Sequence, residues 1–164
     1  MTDESLLEVE VEKLERVRSV AIDTSSIIYL SKSGLLDRLS ELIQLKTVGQ
    51  VVQEAGLPSL PVDFVATHQD DLNRPIDADT AILQCAVRER IPLLSEDRKL
   101  LMRADVRGVP YYNSLMMIAL MALRGVIAEG EIADSRDRLV KVAHYGSRVA
   151  KYGNDLISYI TMNR

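Results

Sequence analysis

The sequence predicts an α/β fold: a central, mostly parallel sheet flanked by helices, with an extra helical C-terminal part. Three observations predict it. Short apolar runs alternate with longer stretches whose apolar residues recur at helical spacing. Two of the short runs, V-A-I-D-T and I-P-L-L-S-E-D, stop at acids, as strands do where they reach a crevice. The last third of the chain reads as helix without interruption by strands. At 164 residues the chain is expected to be one domain, and 47% hydrophobic content is enough for a core. Aromatics make up only 4%, so aliphatic residues and Met must fill that core.

The elements follow in chain order. Residues 3 to 18 carry Leu6, Leu7, Val11, Leu14 and Val17 near helical spacing, with Glu and Lys between them, and predict a docked or partner-binding helix. Ser19 to Asp23 reads as a strand, and Thr24, Ser25 and Ser26 are candidate caps for a helix from Ile27 to Ser31 that Gly34 breaks. Leu35 to Leu45 predicts a second helix, Lys46 to Val48 a brief strand, and Val51 to Ala55 a helical turn stopped by Gly56 and Pro58. Phe64 to Ala66 is a further candidate strand, and His68 to Asn73 is loop-like. Asp77 to Arg90 predicts a helix, Ile91 to Ser95 a strand, Asp97 to Ala104 a helix and Val109 to Tyr111 an extended piece. Ser114 to Leu123 predicts a buried helix, followed by helices over about Ile132 to Val142 and Arg148 to Ile160. The chain divides into a helical extension (1–18), a main domain (19–126) and C-terminal helices (127–164) that pack on or extend it.

Composition excludes several classes. A net charge of −4 argues against a surface that grips nucleic acid everywhere by charge. The acidic N-terminus is unlike a signal peptide, and the apolar stretch Leu115 to Leu123 is shorter than the roughly 20 residues a membrane span takes. The single Cys85 cannot form an internal disulfide, which fits a reducing cytoplasm, and it reads as a small core residue. There is no Cys/His cluster of the zinc type and no glycine-rich phosphate loop.

The acids carry the functional signal. Asp23 and Asp97 both stand at strand ends, where open α/β sheets place their crevice. Glu54 lies on a short helix after another candidate strand, and Asp79 opens the helix that leads into I-P-L-L-S. Each has a plain structural alternative: a strand-end turn for Asp23, a solvated acid for Glu54, helix N-terminal acids for Asp79 and Asp97, with Ser95 as a cap. Their shared placement at strand ends and helix starts favours a site. Converging carboxylates repel, and a hard divalent cation is the usual counter-charge.

Four stretches carry a resemblance: V-A-I-D-T-S-S-I-I-Y-L-S (20–31), T-V-G-Q-V-V-Q-E-A (47–55), D-A-D-T-A-I-L-Q-C-A-V (77–87) and I-P-L-L-S-E-D-R-K-L (91–100). Together they resemble the PIN-domain nucleases, the fold shared by VapC-type toxins and many RNA-processing endonucleases. The likeness runs from about Val20 to Arg124. It implies a PIN-like fold in which Asp23, Glu54, Asp79 and Asp97 are the four acids, Asp77 being the rival for the third. Ser25 and Ser95 occupy positions where the family often has Ser and Thr. The N-terminal extension and the helices after Gly130 lie outside the minimal family domain.

The resemblance implies a Mg²⁺- or Mn²⁺-dependent endoribonuclease. Asp23, Asp79 and Asp97 would hold one or two ions, with Glu54 as a further or indirect ligand and Ser25 and Ser95 orienting carboxylates or water. Arg98 and Lys99 are weak candidates for meeting RNA phosphates. Lys141, His144, Arg148 and Lys151 would add to them if they share a groove. The implied partners are an RNA substrate, an antitoxin or other protein, and further copies of the chain. Leu35 and Leu36, or Met116, Met117 and Met121, are candidate dimer contacts with core packing as the alternative, and core packing is the favoured reading for the methionines. The competing function is a PIN-fold binding module with little or no catalysis. Phosphoryl transfer through Asp23 ranks below both, because Ser25 stands where the phosphatase pattern needs a second Asp.

Overall fold

The computed structural model describes residues 3–57, 59–65 and 76–163. In chain order it comprises α1 (Glu4–Glu15), β1 (Ser19–Ile22), α2 (Thr24–Lys32), α3 (Leu36–Leu42), β2 (Gln44–Thr47), α4 (Gly49–Ala55), β3 (Asp63–Phe64), α5 (Ala78–Glu89), β4 (Leu93–Leu94), α6 (Arg98–Val106), β5 (Tyr111–Tyr112), α7 (Ser114–Leu123), α8 (Glu129–Ala143) and α9 (Ser147–Met162). The five strands form one sheet in the order β3-β2-β1-β4-β5, with every neighbouring pair parallel. The chain is thus α/β with an all-parallel sheet between helices. Parallel sheets are covered on both faces, and V-A-I of β1 and L-L of β4 are accordingly buried throughout.

The strand order fixes where a site can form. From β1 the chain moves outward through β2 to β3, then returns to the other side of β1 for β4 and β5. The order therefore reverses between β1 and β4, and crevices in such sheets open at the carboxyl ends of the two strands that flank the reversal. Ile22 pairs with Leu94, so both strands end at the same level.

Several boundaries differ from the sequence reading for identifiable reasons. The helix after β1 begins at Thr24, with Asp23 as its N-cap residue, and not at Ile27. The hydroxyls of Ser25 and Ser26 do not cap it, because both are drawn across to β4. The third helix stops at Leu42, three residues early. Ile43 is extended, and Gln44 N–H donates to the Arg18 carbonyl (2.9 Å), so pairing with β1 prevails over helical propagation. β4 starts two residues late because Arg90 adopts a left-handed conformation and Ile91 N–H still closes α5 on the Ala86 carbonyl (3.1 Å). The last strand is Tyr111–Tyr112. Gly56, with φ +65°, supplies the left-handed cap that ends α4. The predicted loop His68–Asn73 and Ala66, the end of the predicted third strand, lie outside the described residues.

One core joins all three predicted segments. Leu7, Leu14 and Val17 of the N-terminal part share a buried cluster with Val20 and Ile22 of β1, and with Leu139, Leu156 and Ile160 of α8 and α9. α7 is the hub: Ser114 to Ala122 is buried at every position, and α9, α8 and α1 all pack on it. Met116, Met117 and Met121 belong to this core, as does Cys85. Leu35 and Leu36 are 0% and 5% exposed, so they are core residues and not, as the sequence allowed, an exposed dimer surface. No helix among the described residues is long and apolar enough to cross a membrane.

Candidate active site

Two short segments follow the strand ends at the β1/β4 reversal. Asp23 follows β1 and Ser95-Glu96-Asp97 follows β4. Asp23 N–H donates to the Leu94 carbonyl (2.9 Å), and Ser95 N–H to the Tyr112 carbonyl (3.1 Å), so sheet hydrogen bonding sets both positions. Asp23 Oδ2 accepts from Ser95 Oγ (2.8 Å) and more weakly from Ser25 Oγ (3.3 Å). The same hydroxyls also accept from backbone: Glu96 N–H donates across to Ser25 Oγ (3.0 Å), and Asp97 N–H donates within its own segment to Ser95 Oγ (3.0 Å). Ser25 and Ser95 thus tie the start of α2 to the end of β4 and orient the Asp23 carboxylate between them.

Asp97 is the N-cap of α6: its Oδ1 accepts from Lys99 N–H (2.9 Å) and Leu100 N–H (3.2 Å). It caps with its own carboxylate, and Ser95 holds Asp97 N–H instead of capping the helix. Asp77 caps α5 in the same way, accepting from Thr80 N–H (2.7 Å). Hydrogen bonds from the Thr80 side chain and then its backbone hold the exposed Asp77 carboxyl below its usual range.

The electrostatics bring the acids together. Asp23 is 4% exposed, and its carboxyl is pushed up by burial, with the negative field of Glu54 acting in the same direction against the serine hydrogen bonds. Asp79 is partly buried, and its carboxyl is raised by burial, then by Asp23, Asp97 and Asp77, while Arg103 opposes the rise. Asp79 therefore shares a field with Asp23 and Asp97, whereas Asp77 spends its carboxylate on the helix. Glu54 is exposed on α4, and its negative field reaches Asp23. Among the described residues, no three His, Cys, Asp or Glu side chains stand close enough to hold one metal ion jointly. The donor set nonetheless suits Mg²⁺ or Mn²⁺. Every candidate ligand is a carboxylate oxygen, and Mg²⁺ keeps several waters and takes only one or two carboxylates directly. Thr24 Oγ1, next to Asp23, is buried with no hydrogen-bond partner.

Glu96 has a structural part of its own. Its Oε1 accepts from Ser114 N–H (2.5 Å) and Tyr145 O–H (2.7 Å), and its Oε2 from Ser26 Oγ. One carboxylate thereby joins the end of β4, the first turn of α2, the N-terminus of α7 and the loop between α8 and α9. Burial raises its carboxyl, and the three donors pull it back. Tyr145 lies 49 residues away in sequence and has no local signature; only the S-E-D acid pair pointed to this corner.

The basic candidates separate. Arg98, His144 and Arg148 line one cavity of about 690 Å³ beside Glu96, between the start of α6 and the α8–α9 loop. Lys99 is exposed, outside the lining residues. Lys141 and Lys151 do not line it either, and Lys151 pairs with Asp155 one helical turn on (2.5 Å). No protein-family model matches the chain, and no curated protein matches it.

Proposed function

We propose that the protein is a Mg²⁺- or Mn²⁺-dependent endoribonuclease of the PIN type. The observation that carries this reading is the position of Asp23 and Asp97 on either side of the strand-order reversal, with Asp79 in their shared field. Carboxylates that repel one another at the ends of adjoining strands, with Asp23 among them buried, cost stability unless they serve a cation. One or two of Asp23, Asp79 and Asp97 would hold it directly and the rest through its bound waters, with Glu54 as a further, indirect acid. The bound ion supplies activated water and charge neutralisation at a phosphodiester. The protein supplies orientation. Ser25 and Ser95 lock Asp23 Oδ2. The α6 cap takes Asp97 Oδ1, and no hydrogen bond among the described residues takes its Oδ2. A toxin of a toxin–antitoxin pair and an RNA-processing enzyme would use this site alike.

The test is cleavage of mixed RNAs with Mg²⁺, Mn²⁺ or EDTA by the wild type and by Asp23→Asn, Asp79→Asn and Asp97→Asn. Metal-dependent cleavage lost in all three is expected. Unchanged cleavage by pure variants refutes the reading. The second reading, a PIN-fold RNA- or protein-binding module without catalysis, is favoured by the lack of a three-ligand group among the described residues. It predicts RNA or protein binding by a wild type that cleaves nothing with either metal.

A further inference from the structure

We infer that the cavity between α6 and the α8–α9 loop seats one nucleotide of a single-stranded RNA whose adjoining phosphodiester lies at the carboxylate cluster. This rests on the ribonuclease reading and adds how the substrate is held. The cavity is about 690 Å³, within the range of small-ligand sites, and ample for one nucleotide. Two guanidiniums and an imidazole line it: Arg98 from α6, His144 from the end of α8 and Arg148 from the first turn of α9. In a chain of net charge −4, their convergence from three helices on one cavity marks it for an anion. Arginine pairs with phosphate in bidentate fashion, and phosphate contacts set the position of a strand without reading its sequence.

The remaining walls suit a nucleoside. Tyr29 and Tyr145 line the same cavity. Aromatic rings accept any base by stacking, the usual mode for single strands. The first turn of α9 also borders it, and that turn has neither an acidic residue nor a side-chain cap, so its N–H groups add to the pull on a phosphate.

Position ties the cavity to the acids. Arg98 directly follows the α6 cap Asp97, and Glu96, which lines the cavity, directly precedes it. A strand seated on Arg98 therefore has its next phosphodiester within reach of Asp97. His144 and Arg148 both come from the segment after residue 127, so the C-terminal helices would complete the substrate site of the main domain.

The experiment measures binding of a short fluorescein-labelled oligouridylate in EDTA, by anisotropy, over a range of salt. It compares the wild type with Arg98→Ala, Arg148→Ala, the double variant and Lys141→Ala as a control outside the cavity. All three side chains are exposed, so folding should survive. The double variant is expected to raise Kd roughly tenfold and to lower the salt slope by about 1–2, with the control unchanged. With Mn²⁺ the same variants should raise KM and leave kcat nearly intact. Wild-type affinity in the double variant overturns the inference. So does uridine monophosphate binding as tightly as the oligomer, which would assign the cavity to a free nucleotide. Arginine-dependent RNA binding by a wild type that cleaves nothing would refute the ribonuclease reading while the cavity stands. Cleavage that needs Asp23, Asp79 and Asp97 but ignores both arginines would do the reverse.

Discussion

Replacing Tyr145 with Phe removes one oxygen and opens no cavity. That oxygen donates to Glu96 Oε1 at 2.7 Å. A hydrogen bond to a charged partner contributes roughly 1.5–3 kcal/mol. Glu96 keeps its two other donors, Ser114 N–H and Ser26 Oγ, and its ionised form is already disfavoured by burial. The loss should therefore fall at or just below the lower end, about 1–2 kcal/mol. For a chain of this size each kcal/mol shifts Tm by about 2–4 °C, so Tm should drop by about 2–8 °C. The deficit should depend on pH. Glu96 has a folded-state pKa above its ordinary 4.5, so its stabilising contribution is complete below that value and is lost as pH rises through the raised one. Removing a donor to the carboxylate raises that pKa further, so Tyr145→Phe should cost most at neutral and alkaline pH and less in acid. Thermal and urea unfolding across pH check both points. A variant with the Tm of the wild type, or with a deficit that grows as pH falls, refutes the role given to this bond.

Further outcomes follow from the same geometry. Asp77→Ala should lose about 0.5–2 kcal/mol of stability through its helix cap and keep cleavage, whereas Asp79→Ala should keep stability and lose cleavage. The opposite pattern would transfer the third acid to Asp77. Asp23 also has a folded pKa raised above its ordinary 3.8, so its contribution is present below 3.8 and lost as pH rises through the raised value. Asp23→Asn should therefore be inactive yet more stable than the wild type at neutral pH, with a flatter stability profile; a less stable variant with an unchanged profile refutes the assignment. A Cβ at Gly153 would stand 2.6 Å from Leu115 Cγ, in a core where Leu115 is fully buried. Gly153→Ala should lose about 1–3 kcal/mol to overpacking despite its better helix propensity, and Leu115→Ala in the same chain should return part of that loss in a double-mutant cycle.

Much of this architecture was legible in the linear chain because it depends on local pattern. The alternation of apolar runs with helical stretches marks β1, β4, α5 and α7, and acids at the strand ends single out Asp23 and Asp97. Cys85 and the three methionines of α7 read as core from their apolar surroundings alone. Boundaries were less legible where two local preferences compete. Ile43 to Leu45 continue a helical stripe, yet the backbone of Gln44 gains more by pairing with Arg18. Thr24-Ser25-Ser26 is a capping sequence by composition, yet two of its hydroxyls turn to β4.

What no reading of neighbours along the chain supplies is the set of contacts closed by the crossover from β3 back to β4. That crossover places Asp23 level with Ser95, and it gives Asp79, rather than Asp77, the field of the other acids. It also makes Glu96 the anchor for Tyr145 and gathers Arg98, His144 and Arg148 around one cavity. Residue type and spacing settle which groups carry charge and which face of an element is apolar, since these follow from side-chain chemistry and the helix and strand periods. Which charges meet depends on the order of strands in the sheet, and that order is set by burial of the whole core at once.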